Sequence, residues 1–413
     1  MLLKLPYGVK DEMPEDIYQR KEIEDIAFDV FEKWGYLPVS PPTFEYYDTL
    51  ALGAGDRLKK QMYRFIDRDG ELLSLRAEFT TPIARMVANK FSGFIPPMRF
   101  FYFGKVYRFF PEGIHHKREF YQLGAELIGV DAPFGEIEVL SIFVAILKKL
   151  LGDEEFFVDI SHAGFIRGIL DRAFGDPSDR ERVKSALSKK RFVLLEEILD
   201  GTPLTGDEKA LLLRLPAYRG NGEMLAEIES GDFPETSVLA IKELKRLMQE
   251  FESWGNMVSV DLSLTRDIDY YTGVVFEAFS CKEGLPLGGG GRYDNLIRNL
   301  GANYPAIGFA LDLESVKRFV KAKVHDIRRQ GVVLNLSNAG SLGLLLDVAE
   351  RIRQKGIVVD ITYFADEKKL CDYVEFRKPA YTLSFWGDVI ELRGKGEVKR
   401  MQKERVCDWI EGL

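Results

Sequence analysis

The chain is poor in the residues that staple or metallate a fold: its 413 residues include 3 cysteines and 4 histidines. Cys281, Cys371 and Cys407 stand far apart with no C-x-x-C spacing. That argues against a disulfide framework or a cysteine zinc site, and the expectation is reduced, packed thiols in a cytosolic protein. Of the histidines only His115 and His116 are close together, and no H-E-x-x-H pattern occurs, so neither a metal nor another cofactor is expected. Positive charge is not in excess. The net charge of −8 argues against a strongly basic nucleic-acid binder. No apolar run approaches the length of a membrane span, and the opening residues MLLKLPYGVKDEMPED lack the basic-then-apolar layout of a signal peptide. A cytoplasmic protein without membrane contact is therefore expected. Internal repeats and low-complexity tracts are absent as well.

What is present suits large cores: 46% of residues are hydrophobic and 30% charged. Residues 14–34 carry Ile17, Ile23, Ile26, Val30, Phe31 and Trp34 at helical spacing, with Pro14 in the first turn and Gly35 after the end. The paired prolines of LPVSPPTFEYYDTL favour an edge strand or extended arm. A hairpin turning at Asp69-Gly70 and a helix from about Thr81 are expected next. MRFFYFGKVYRFF and REFYQLGAELIG alternate apolar and polar residues, which reads as two antiparallel strands flanking the cationic loop Arg108–Arg118. An apolar helix follows, then broken helical patterns over about 165–255. Strand alternation returns in VSVDLSLTRDIDYYTGVVFEAFS. LPLGGGGRYDNLIRNLG reads as a glycine turn and a short helix, and AIGFALDLESVKRFVK as a strand entering a helix. After a boundary near 323–330, strands and helices alternate in the manner of a small βαβ-type domain.

Several side chains could carry chemistry. Glu78 and Thr80 share one face if their stretch is extended, as do Gln122 and Glu126 in their strand. Polar groups aimed into a sheet face are costly unless paired, so they satisfy one another and Arg108, or they hold a polar ligand. Arg266 could clamp a carboxylate or pair with Asp267 or Asp269. Tyr270 and Tyr271 would point to opposite faces of a strand. Lys59, Lys60, Arg108, Lys117 and Arg118 could meet phosphate or simply be solvated. The glycines at 288–291 lack the spacing and the Lys-Ser/Thr of a phosphate-binding P-loop. Spacing alone supports a mixed α/β protein with a polar small-molecule pocket.

Taken in order, LRAEFTTPIAR, VYRFF…REFYQLGAELIG, TRDIDYYTGVVFEAF, GGGGRYDNL and AIGFALDLE resemble the motifs of histidyl-tRNA synthetases and of their paralogue, the regulatory subunit of ATP phosphoribosyltransferase. The resemblance covers roughly residues 5–320, and the C-terminal part more weakly. It implies an α+β class II aminoacyl-tRNA synthetase-like fold: an antiparallel sheet with flanking helices, a helical insertion at about 165–255 and a small C-terminal α/β domain. The domains would be 1–322 and 330–413, the latter resembling an anticodon-binding domain. Dimerisation through the N-terminal helix and the proline-bearing strand is implied too.

The resemblance also implies a histidine site made of Glu78, Thr80, Gln122, Glu126, Arg266 and Tyr271, with Tyr270 beside it. Arg108, His116 and Arg118 would remain as anion contacts. The nucleotide half departs from the synthetase pattern. Where the synthetases carry Arg-x-Glu, this chain has Arg108-Phe109-Phe110, which removes the acceptor for the adenine amino group. Where they end Gly-Leu-Glu-Arg, it has Asp312-Leu313-Glu314-Ser315, which removes the arginine on the γ-phosphate and adds a carboxylate. Each lost charged hydrogen bond is worth about 1.5–3 kcal/mol. The pattern is that of the non-catalytic regulatory subunit. The expected partners are a short-form catalytic ATP phosphoribosyltransferase subunit, in a hetero-octamer built on dimers of this chain, with histidine as effector. The alternatives are a divergent histidyl-tRNA synthetase and a stand-alone histidine-binding module.

Overall fold

The computed structural model describes residues 3–91, 93–111, 117–188, 191–202, 206–220, 223–229, 233–264, 270–320, 331–336, 341–394 and 396–413. The chain divides into two compact units, Met1–Asp11 with Arg20–Lys321, and Glu12–Gln19 with Ala322–Leu413.

The larger unit is built on a sheet of nine strands in the order Leu37–Pro38, Met98–Tyr107, Glu119–Ile128, Ala306–Asp312, Pro286–Arg292, Val274–Ser280, Phe156–His162, Val258–Asp261 and Arg219–Gly220. The six strands from Met98–Tyr107 to Phe156–His162 pair antiparallel throughout. The alternating 98–107 and 119–128 segments form a ten-pair ladder. Its apolar residues face two different cores, one on each side of the sheet: Phe101, Leu123 and Leu127 join one, Phe100, Tyr102 and Ile128 the other.

The first core is closed by the helices Pro14–Lys33 and Phe134–Leu151. Only part of the expected stripe of the first helix is buried, namely Ile23, Val30 and Phe31 with Ala27, while Ile17 and Trp34 stay exposed. Gly35 ends this helix with φ of 75°. That is a left-handed conformation in which the Gly35 and Tyr36 amides cover the carbonyls of Glu32 and Phe31. Helices from Ala163–Ala173 to Glu235–Glu250 make up most of the described residues in the stretch read as helical, which also supplies the edge strand Arg219–Gly220. The hairpin Arg64–Ile66 and Leu72–Leu75 turns at Gly70, as its Asp-Gly signal implies.

Three expectations are corrected. The glycines at 288–291 do not form a turn. They lie inside the strand Pro286–Arg292, near the middle of the sheet. Close approach requires them there: a Cβ on Gly290 would fall 1.9 Å from the Gly308 carbonyl oxygen. Glu78 and Thr80 do not share an extended stretch, because Thr80 already begins the helix Thr80–Lys90. Two of the three cysteines are not packed: Cys281 and Cys371 are exposed, whereas Cys407 is half-buried against the core of the smaller unit.

The smaller unit holds a five-stranded sheet in the order Val359–Thr362, Val332–Leu336, Tyr381–Trp386, Val389–Gly394 and Glu397–Gln402. The first three strands are parallel, joined through the helices Leu342–Gln354 and Glu367–Arg377. The last two strands add an antiparallel meander that strand–helix alternation does not foretell. Among the described residues, no helix is long and apolar enough to cross a membrane.

Candidate functional site

The ladder registers place Glu126 between Phe100 and Gly308, and Gln122 between Gly104 and Asp312. Gly308 makes room for the Glu126 side chain, since a Cβ there would lie 1.8 Å from Glu126 Oε2, whereas Gly104 makes room for Phe79, whose ring a Cβ would meet at 2.7 Å. Glu126 is fully buried. Its Oε1 accepts from the Thr80 hydroxyl at 2.9 Å and its Oε2 from the Tyr293 hydroxyl at 2.5 Å.

Glu78 sits just before the helix Thr80–Lys90, and its carboxylate accepts the Thr80 and Thr81 amides at 2.5 and 3.0 Å. These amides have no intrahelical acceptor, so the carboxylate doubles as a cap in the favourable field of the helix start. The Tyr270 ring lies 5.1 Å from Tyr271, edge-on, and 5.7 Å from Tyr293. Both tyrosines precede the strand Val274–Ser280 and pack into one cluster, so the opposite-face expectation is corrected.

The pocket is rich in acceptors. Gln122 Oε1 is buried, and no hydrogen-bond donor reaches it among the described residues. Burial pushes the Glu126 carboxyl up to about 8, against the Tyr293 and Thr80 hydrogen bonds, and the neighbouring Glu78 charge raises it further. Burial raises Glu78 as well, opposed by its bonds to the helix start and by Arg108. Burial first and the Glu126 charge second hold the Tyr293 hydroxyl well above the usual tyrosine range. A site with two buried carboxyls and an unmatched amide oxygen suits a ligand that brings several N–H donors and positive charge. Tyr293 was missed in the sequence, where an aromatic residue in Gly-Arg-Tyr-Asp reads as core. The signal that finds it is a buried acid needing a hydroxyl donor.

The cationic loop is placed only in part. His116 and Arg266 lie outside the described residues. Arg108 Nε donates to the Ala77 carbonyl at 2.8 Å, beside Glu78, and its guanidinium lies 5.4 Å from the Phe120 ring. Arg118 donates twice to the Phe110 carbonyl, at 2.9 and 2.6 Å, between the rings of Phe109 and Tyr7. Lys117, Lys10 and Lys317 converge on Glu314 at 3.2, 3.3 and 3.1 Å. Together they hold its carboxyl at about 2 against its burial. Asp312 is turned onto its own chain, accepting the Glu314 and Ser315 amides at the start of the helix Leu313–Lys317. Among the described residues no cluster of His, Cys, Asp and Glu could hold a metal ion.

The family whose sequence pattern matches residues 8–316 is described as histidyl-tRNA synthetase. The chain is 39% identical over 319 residues to an ATP phosphoribosyltransferase regulatory subunit of Halothermothrix orenii, covering 76% of each chain. The chain belongs to the family of histidyl-tRNA synthetases and their paralogues, the ATP phosphoribosyltransferase regulatory subunits. Another member of this family, the histidine–tRNA ligase of Methanocaldococcus jannaschii, is 30% identical over 384 residues, which is 91% of this chain and 90% of the ligase. A solved structure from Bacillus halodurans, described as an ATP phosphoribosyltransferase regulatory subunit/histidyl-tRNA synthetase, superposes with a TM-score of 0.81 at 28% identity. It covers 94% of this chain and 99% of that one. The class II synthetase-like fold expected from the motifs is thus the fold of the family.

Proposed function

We propose that this chain is the regulatory subunit of ATP phosphoribosyltransferase and carries out no aminoacylation. It joins a short-form catalytic subunit, raises its activity and relays feedback by histidine. The catalytic partner performs the chemistry, joining ATP to phosphoribosyl pyrophosphate at the start of histidine biosynthesis. The setting is cytoplasmic. Dimers of this chain, formed through the helix Pro14–Lys33 and the segment after it, are the core of a hetero-octamer. The C-terminal unit resembles an anticodon-binding domain.

One observation carries the reading: the residues that would hold an amino acid keep suitable side chains, while the two groups that would hold a nucleotide are replaced. Phe110 stands where an adenine acceptor belongs, and Ser315 where an arginine would meet the γ-phosphate. The lysines nearby are engaged by Glu314. Losing two charged hydrogen bonds costs about 3–6 kcal/mol of nucleotide binding, roughly a hundredfold or more in affinity. Histidine, with an ammonium, a carboxylate and an imidazole N–H, fits the described acceptors and Arg266. For histidine to act as an effector it must bind the inhibited state of the complex better than the active one.

Mixing the chain with a short catalytic phosphoribosyltransferase tests this. The expected result is turnover that rises on mixing and falls again with histidine. The similarity to the Methanocaldococcus jannaschii ligase along 91% of the chain favours a second reading, a divergent histidyl-tRNA synthetase. Histidine-dependent ATP–pyrophosphate exchange separates the two, and robust exchange by the chain alone overturns the first.

A further inference from the structure

A cavity of about 320 Å³ lies in the larger unit beside the acceptor pocket. Tyr270 and Tyr271 line it, but Glu78, Thr80, Gln122, Glu126 and Tyr293 do not. Its remaining walls are residues 52–55, Thr272, the helix Asp294–Asn299 and Arg167 from the helix Ala163–Ala173. The segment 52–55 comes close because residue 53 is glycine: a Cβ there would meet Thr81 Oγ1 at 2.1 Å.

Arg167 supplies the charge of this lining. Its side chain is exposed, and Nη2 donates to the Tyr271 carbonyl at 2.7 Å, which fixes the guanidinium along the tyrosine wall. Among the described residues it makes no ion pair. Arg85, Arg99, Arg292 and Arg377, by contrast, are each matched to a carboxylate, on Glu45, Glu138, Glu136 and Asp360. A guanidinium has five N–H donors, and the carbonyl takes one. Asn295 and Asn299 add amides to the lining. The Asn295 carbonyl oxygen is taken by Arg298 at 3.2 Å, so its NH₂ group is the part left for a ligand. Leu296 and the tyrosine rings give the rest of the cavity an apolar surface. The volume is at the small end of ligand pockets, too small for a nucleoside triphosphate and right for an amino acid or a pentose.

We propose that this cavity is a second small-molecule site, taking a compact organic oxyanion whose carboxylate or phosphate is held by Arg167 while its body packs between Tyr270 and Leu296. The site shares the wall of Tyr270 and Tyr271 with the histidine site of the regulatory reading, but its charged group is Arg167 and none of Glu78, Thr80, Gln122, Glu126 and Tyr293 lines it. The two head groups share their recognition chemistry and differ in their probes, L-glutamate for the carboxylate and ribose 5-phosphate for the phosphate. Histidine is left out as a probe because it reports on the other pocket.

The experiment is calorimetry and saturation-transfer NMR on the full chain with each probe, for the wild type, Arg167→Gln, Asn299→Leu and Glu126→Gln. At least one probe should bind the wild type. Arg167→Gln should weaken it about tenfold or more, the value of a charge-assisted pair. Asn299→Leu should weaken it to a lesser degree, and Glu126→Gln should leave it unchanged. Whichever probe binds more tightly names the head group. Three results would overturn the proposal: neither probe bound at about 10 mM, where even a site of about 1 mM affinity would fill; equal affinity for wild type and Arg167→Gln; or a loss with Glu126→Gln matching that with Arg167→Gln, which would put the probe in the acceptor pocket. Arg167 is exposed, so circular dichroism of its variant should match the wild type and keep the comparison valid.

Discussion

Glu126→Gln should stabilise the empty protein at alkaline pH and leave it nearly unchanged at acid pH. The buried carboxyl has its pKa moved from 4.5 to about 8. The folded state therefore holds this proton more tightly than the unfolded chain does. A raised folded pKa contributes stability that is fully present below about pH 4.5 and lost as pH rises through about 8. The shift of 3.5 units, at about 1.4 kcal/mol per unit, totals about 5 kcal/mol. Between pH 5 and pH 8 the part lost is about 3–4 kcal/mol. Glutamine resembles the protonated acid in shape and cannot titrate, so the variant escapes this loss.

Urea denaturation of both proteins, followed by circular dichroism at half-unit steps from pH 5 to pH 8.5, isolates the effect. Other titrating groups cancel in the difference, apart from Glu78, which is coupled to the same site. The variant should match the wild type within about 1 kcal/mol at pH 5 and lead by about 3–4 kcal/mol at pH 8, a melting shift of roughly 4–6 °C for a chain of this size. Parallel stability curves across this range would refute the assignment of a buried proton to Glu126.

If histidine occupies the acceptor pocket and donates an N–H to ionised Glu126, its affinity should rise about fivefold from pH 7 to pH 8, with close to one proton released per site at pH 7. Calorimetry in two buffers of different ionisation enthalpy measures that proton, and its absence would move the ligand away from Glu126. Gly308→Ala forces a Cβ to 1.8 Å from Glu126 Oε2 and should cost at least about 1–3 kcal/mol. Gly175→Ala, with nothing within 4 Å, should be neutral in the same melts. Arg292→Met should cost about 3–5 kcal/mol, because it strands Glu136, which accepts from Arg292 at 2.5 and 2.8 Å in a fully enclosed pair. Arg292→Met with Glu136→Leu should recover most of that loss, and a double mutant as unstable as the single one would show that the ion pair is not the cause.

The long antiparallel strands were legible because their side chains alternate over ten residues each. The glycine-rich strand was not, because four glycines carry no side-chain periodicity. What demands glycine there is the neighbouring strand, whose Gly308 carbonyl would lie 1.9 Å from a Cβ on Gly290. The helix start at Thr80 was within reach: Thr-Thr-Pro puts a proline in the first turn, where its missing N–H costs nothing, and the preceding Glu78 answers the amides that remain. The meander at the end of the smaller sheet has no such marker.

The acceptor pocket was legible as residue types, but its energetics were not. Glu78, Thr80, Gln122 and Glu126 could be named from spacing and resemblance. That Glu126 is wholly enclosed follows from Gly308 and Tyr293, which are 182 and 167 positions away in the chain. Those two contacts also bear on what the site is for. A sheet needing only stability would be better served by an apolar residue at position 126, since the acid costs about 3–4 kcal/mol near pH 8 and offers two hydroxyl hydrogen bonds in return. The empty fold does not recover that cost, whereas a cationic ligand that lowers the pKa of Glu126 does. A ligand that relieves the penalty should therefore raise the melting temperature more at pH 8 than at pH 6, and a neutral one should raise it equally at both.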